Sequence, residues 1–106
     1  MPTLTQLQYI LAVEQTGHFG RAASACHVSQ PTLSAQIQKA ESELGVVIFD
    51  RNSRPTVPTE PGALLIALAR DVVGAHERLI AVASGGLSQP GGPFVLGVIP
   101  TLAPYV

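Results

Sequence analysis

Residues 19–44, "FGRAASACHVSQPTLSAQIQKAESEL", leave few folds open. A short alanine-rich segment, Phe19 to Cys26, meets a three-residue break, His27-Val28-Ser29, and a longer periodic run follows. Ala22 and Ala23 allow a neighbouring backbone to approach closely. His27 stands where the chain must reverse, and positive φ strains His or Asn less than a β-branched residue. Ser29 is placed to cap the next helix, with Pro31 in its first turn, where a missing N–H is tolerated. Leu33, Ile37, Ala40 and Leu44 then recur at helical spacing, and Gly45 closes the run. Two helices joined by so short a turn form a helix-turn-helix, here over about residues 19–38.

The flanks complete a small domain. "LTQLQYILAVEQT", residues 4–16, sets Leu4, Leu7, Ile10 and Leu11 on one helical side, with Glu14 at its edge and Gly17 as the stop. "VVIFDRNSRPTVPT", residues 46–59, is β-branched at both ends around a polar tip and predicts a two-stranded ribbon. Pro55 and Pro58 restrict it to edge-type pairing. Thr59 is placed to cap a further helix, from about Glu60 to Ser84. Leu64, Leu68, Val72, Ala75, Leu79 and Val82 form an apolar stripe on it, which Leu65, Ile66, Val73 and Ile80 widen. So much apolar surface on so small a domain calls for a second partner, and the stripe is the candidate dimer interface. "GGLSQPGGP", residues 85–93, predicts a hinge, and "FVLGVIP", residues 94–100, a buried strand without a sheet. The chain is therefore expected to be the N-terminal piece of a longer protein.

The expected fold class is mainly α. A winged helix-turn-helix of three helices and a two-stranded wing occupies residues 1–59, and a linker and dimerisation helix 60–84. The hinge takes 85–93, and the first strand of a truncated regulatory domain 94–106.

Composition removes several alternatives. With 46% apolar residues but only three Phe and two Tyr among 106, aliphatic side chains must fill the core of one compact domain. Six basic residues against seven acidic ones exclude a polybasic membrane segment, and by themselves do not advertise nucleic acid. No charged and then apolar leader opens the chain, and the longest apolar run, "ALLIALA", is too short to span a bilayer. A soluble cytoplasmic protein with no membrane partner is the expectation. The single cysteine, Cys26, cannot form an internal disulfide and follows the core period of its helix, so it is expected to act as a small hydrophobe. His18, Cys26 and His27 lack a fourth ligand, and neighbouring Cys and His side chains diverge, so no metal or other cofactor is expected. Ser34 has no His or Asp at useful spacing, which leaves no footing for an enzyme.

The third helix carries the chemistry. Opposite Leu33 and Ile37 lie Pro31, Thr32, Ala35, Gln38, Lys39 and Ser42, with Ser34 and Gln36 on the flanks. This side is small and hydrogen-bonding, which suits the major groove: Gln pairs with adenine, and Thr or Ala meets the thymine methyl. The helix N-terminus favours a nearby phosphate. Arg51 and Arg54 at the ribbon tip are placed for the DNA backbone or the minor groove. Arg21 and Lys39 read equally as phosphate contacts or surface charges, and Arg70 and Arg78, beside Asp71 and Glu77, as solvated or dimer-interface charges. The competing reading is a protein-interaction module whose working surface is the apolar long helix. Near-neutral charge favours that reading; the polar third helix and the wing arginines favour DNA.

The run "FGRAASACHVSQPTLSAQIQKAESELGVVIFDR" closely resembles the DNA-binding domain of LysR-type transcriptional regulators, and the resemblance extends over nearly the whole chain. Within that family "CHVSQPTLS" and "GVIPTLAPYV" resemble the OxyR-type, peroxide-sensing branch. The resemblance implies a homodimer, made by antiparallel pairing of the 60–84 helices and often assembled into tetramers. Such a dimer presents two recognition helices to a pseudo-palindromic operator in double-stranded DNA. By position it implies DNA contacts at Ser29, Gln30, Pro31, Thr32, Ser34 and Gln36, and from the wing at Arg51 and Arg54. It also implies that the peroxide-reactive cysteines belong to the regulatory domain, so Cys26 is not one of them. Ala35 and Gln38 stand where relatives often carry Arg or Lys, and Ala40 where Leu is usual, so affinity is expected to lean on oligomerisation.

Overall fold

The computed structural model describes residues 1–85. Helix α1, Leu4–Thr16, begins at a reciprocal cap in which the Gln6 N–H donates to Thr3 Oγ1 and the Thr3 N–H donates to Gln6 Oε1. It ends at Gly17, whose φ of 70° is left-handed and lets its N–H reach the Val13 carbonyl. Helix α2 is Phe19–Ala25 and α3 is Gln30–Leu44. The turn between them behaves as the sequence predicts: His27 takes a φ of 60°, and Ser29 Oγ accepts the Thr32 N–H at 3.2 Å.

The predicted ribbon is present but short. Strands β1, Phe49–Asp50, and β2, Val57–Pro58, pair antiparallel, with Phe49 opposite Pro58 and Asp50 opposite Val57. Pro58 has no N–H to extend the ladder. Helix α4, Glu60–Ala83, follows. Thr59 caps it as predicted, accepting the Gly62 N–H at 3.0 Å while donating its hydroxyl to the Val47 carbonyl at 2.6 Å. The expected hinge, beyond Gly85, and the expected strand at 94–106 lie outside the described residues.

The chain divides into two units, Met1–Val73 and Gly74–Val106. In the first, Ile10, Val13, Leu33, Ile37, Ile48 and Phe49 are sealed inside, with Ala22, Ala23, Ala40 and Ile66 closing the gaps between them. Each fully buried aliphatic or Phe side chain contributes about 1.5–3 kcal/mol. Here α4 turns Gly62, Ile66, Ala69 and Val73 inward and leaves Leu64, Leu68 and Val72 exposed. In the second unit Leu79, Ile80 and Val82 are exposed. No helix among the described residues is long and apolar enough to cross a membrane.

Two expectations about the core need correction. The inward side of α1 is Gln6, Ile10 and Val13, whereas Leu4, Leu7 and Leu11 are only half-buried. Gln6 is tolerated inside because its amide is satisfied, by Thr3 and by Gln36 Oε1, which accepts from Gln6 Nε2 at 2.9 Å. Leu44 is not core: at the last residue of α3 it is 40% exposed and lines an open apolar groove with Leu65 and Leu68.

Candidate nucleic-acid interface

On α3 the predicted division of sides is what the structure contains. Pro31, Thr32, Ala35, Gln38, Lys39 and Ser42 are exposed, Ser34 and Gln36 are half-buried on the flanks, and Leu33, Ile37 and Ala40 are inside. Ser29 and Gln30 are exposed at the helix start. The Ser29 hydroxyl donates to Thr32 Oγ1 at 2.8 Å while accepting the Thr32 N–H, which ties the cap to the first exposed turn. Gln36 is more constrained than Gln30. Its Oε1 already accepts from Gln6 Nε2, which fixes the orientation of the amide and leaves its NH₂ and one oxygen lone pair to offer. Gln30 shows no such engagement among the described residues.

The wing lies against the helices and does not project freely. Its far side is held where the Thr56 N–H donates to the Gly17 carbonyl at 2.9 Å. On its near side Arg51 pairs with Glu41, Nη2 to Oε1 at 2.9 Å, and its guanidinium lies over the Phe19 ring, 4.7 Å from the centroid. Arg54 is exposed and donates to the Arg51 and Ser53 carbonyls, both at 3.0 Å. Between wing and helices lies an open cleft of ≈ 390 Å³, whose lining includes His18, Arg21, Gln30, Ser34, Arg51 and Arg54. Three of these six are arginines and two, Gln30 and Ser34, are neutral hydrogen-bonding groups; the sixth, His18, uses Nδ1 to accept the Arg21 N–H and cap α2.

Arg21, Lys39 and Arg54 enter none of the ion pairs found among the described residues. Arg70 is exposed, in keeping with a solvated charge, and has a partner that its neighbours in sequence do not supply. It pairs with Glu14 of α1 at 3.0 Å, an exposed contact within the domain and therefore worth at most about 1 kcal/mol. Cys26 is half-buried against the core, and burial pushes its thiol up, so it stays protonated and weakly nucleophilic at neutral pH. Sequence reasoning passed over Glu41 and Gln6. Gln6 could have been found from the Thr3-x-x-Gln6 capping spacing, whereas its contact with Gln36 and the partners of Glu41 come from distant parts of the chain.

Three helices with a helix-turn-helix and a two-stranded wing define a winged helix-turn-helix. Residues 4–63 match the family described as bacterial regulatory helix-turn-helix protein, lysR family, and the chain belongs to that family. It is 45% identical over 103 residues to the DNA-binding transcriptional dual regulator OxyR of Escherichia coli strain K12, covering 97% of this chain and 34% of that relative. It thus spans about a third of the length of the curated relatives it matches. Among solved structures, a cysteine mutant of Corynebacterium glutamicum OxyR superposes with a TM-score of 0.80 at 36% identity, over 98% of this chain and 34% of that one. The BenM DBD in complex with benA site 1 DNA superposes with a TM-score of 0.75 at 31% identity, over 83% of this chain and 99% of that one.

Proposed function

We propose that this chain is the DNA-binding and dimerisation part of a peroxide-responsive transcription regulator, and that it acts in the cytoplasm as a binding module and not as an enzyme. The observation that carries this reading is the juxtaposition of the exposed polar side of α3 with the arginine-lined cleft beside the wing. Ser29, Gln30, Pro31, Thr32 and Ser34 form the groove-facing start of the recognition helix. Gln36 donates outward through its NH₂, and Arg21, Lys39 and Arg54 take phosphates or the minor groove. The apolar stripe Leu64, Leu68, Val72, Ala75, Leu79 and Val82 pairs with a second copy, so that two recognition helices meet a pseudo-palindromic site in double-stranded DNA. Tetramers are the natural further assembly. The division into 1–59, 60–84, 85–93 and 94–106 belongs to the same reading. Peroxide response is proposed for the whole protein, from the names of its relatives, with the reactive cysteines placed in the regulatory domain and Cys26 as a packing residue.

A salt-titrated binding assay on a palindromic LysR-type operator and a scrambled duplex tests the reading. Three cations of the proposed interface outside the ion pairs of the described residues, Arg21, Lys39 and Arg54 in each protomer, give a dimer about six phosphate contacts and a log K against log salt slope of roughly −5. A dimer that prefers the operator with that slope is the expected result. No binding to either duplex at low salt would transfer the function to the apolar helix as a protein-interaction surface.

Gln30→Ala should cost about 1–3 kcal/mol at one operator position and relax base choice there. Selection from a randomised operator checks this, and an unchanged preference at every position would remove Gln30 from the base contacts.

A further inference from the structure

The wing and the recognition helix meet on one carboxylate. Glu41, late in α3, accepts the Ile48 N–H at 2.8 Å, the Phe49 N–H at 3.3 Å and Arg51 Nη2 at 2.9 Å. Its side chain is only 11% exposed, so these three donors replace most of its hydration. Arg51 is held from two other sides. Its guanidinium lies over Phe19, and Nη1 reaches toward Ser34 Oγ at 3.5 Å. Phe19 in turn meets Phe49 edge-on, with ring centres 6.0 Å apart. Side chains from α2 and α3 therefore converge on one guanidinium of the wing turn, with Phe49 of β1 behind Phe19.

An arginine on a loop tip normally samples many rotamers and serves as an adhesive cation. A planar fork held in one place can instead demand a particular arrangement of acceptors. The Glu41 partner also offsets the Arg51 charge, so Arg51 adds little to general attraction for phosphate while it remains paired.

We propose that Glu41 is a positioning residue for operator recognition. It touches no DNA, but its carboxylate fixes the Arg51 guanidinium and the root of the wing beside Ser34, so that Arg51 reads one register of the duplex and not whatever phosphate is in reach. The proposal rests on the DNA-binding reading above. It makes two quantities move in opposite directions: removing the carboxylate frees a cation, which helps binding to any DNA, and removes its placement, which harms choice.

The test uses Glu41→Gln, Arg51→Lys and the double variant, each checked for folding by circular dichroism and measured on operator and scrambled duplexes. Glu41→Gln should lower the operator-to-scrambled affinity ratio about tenfold while affinity for the scrambled duplex holds or rises. Arg51→Lys, which keeps the charge and loses the fork, should lower the ratio similarly, and the double variant should lose no more than either alone. In the free protein, the Arg51 side-chain N–H signals in an NMR spectrum should stand apart from those of solvated arginines, and should join them in Glu41→Gln.

A ratio within about twofold of wild type, or equal losses on both duplexes, would leave Glu41 a plain structural residue and overturn the proposal. If Glu41→Gln does not fold, Arg51→Lys decides by the same ratio. A wild-type chain with distinct Arg51 signals but no operator preference would sink the DNA-binding reading itself, and the proposal with it. Operator preference that survives both single variants sinks the proposal alone.

Discussion

Leu68→Glu should leave the protomer folded and weaken operator binding by about 10²–10⁴-fold. Leu68 is 62% exposed, so its replacement removes little packing within the chain, and Glu is as good a helix former as Leu. In the proposed dimer the same side chain is covered by a second α4. There a carboxylate would be buried without a partner, which a dimer interface tolerates poorly. Once the dimer is lost, the second half-site no longer binds at the high effective concentration set by the first, and affinity falls to that of one recognition helix. Sedimentation should show monomers at concentrations where wild type is dimeric, and fluorescence anisotropy should show the loss on DNA. Ala63→Glu, exposed on α4 but off the stripe, should do neither. Wild-type operator affinity in Leu68→Glu would mean that the stripe is not the interface.

What could be read from the sequence was what local chemistry determines. A capping serine, a turn that asks His27 for positive φ, and an apolar period from Leu33 to Ala40 each act within a few residues, so they remain visible in a string of letters. The exposed side of α3 followed from that period. The phase of α1 did not. The run "YILAV" supports two adjacent helical phases, and the choice of Ile10 with Val13 over Leu7 with Leu11 is made by how α1 meets α2 and α3. Gln6 is outside the apolar period and yet 2% exposed, because its amide finds Thr3 on one side and Gln36 on the other. Glu41 was hidden for the same reason. In "KAESEL" it is one more charge on a helix, and only the return of the chain brings the Ile48 and Phe49 N–H groups and Arg51 to its carboxylate. Tertiary partners are invisible to periodicity, and here they decide which arginine of the wing is fixed.

Gly62→Ala should destabilise the domain by roughly 2–4 kcal/mol, although helix propensity alone predicts the opposite sign. Gly62 is in the first turn of α4 and is buried. A Cβ placed there would overlap the Ile48 carbonyl oxygen and lie 2.8 Å from its carbonyl carbon and 2.9 Å from its Cα. These are backbone atoms, so no rotamer change relieves the clash. Nor is the Ile48 peptide free to retreat: its N–H is held by Glu41 and its carbonyl accepts the Thr59 N–H, both at 2.8 Å. The helix must move away from β1, and the cap at Thr59 and the wing root move with it. Gly74, in the same helix, provides the contrast. A Cβ there would meet only the tip of the flexible Arg78 side chain, at 3.4 Å. Gly74→Ala should therefore stabilise by about 0.5–1 kcal/mol, the ordinary gain of alanine over glycine in a helix. Urea denaturation of the two variants isolates the packing from the propensity. Opposite signs are the expected result; a gain at both positions would show that α4 does not press on Ile48, and that the wing root is free of the helix that follows it.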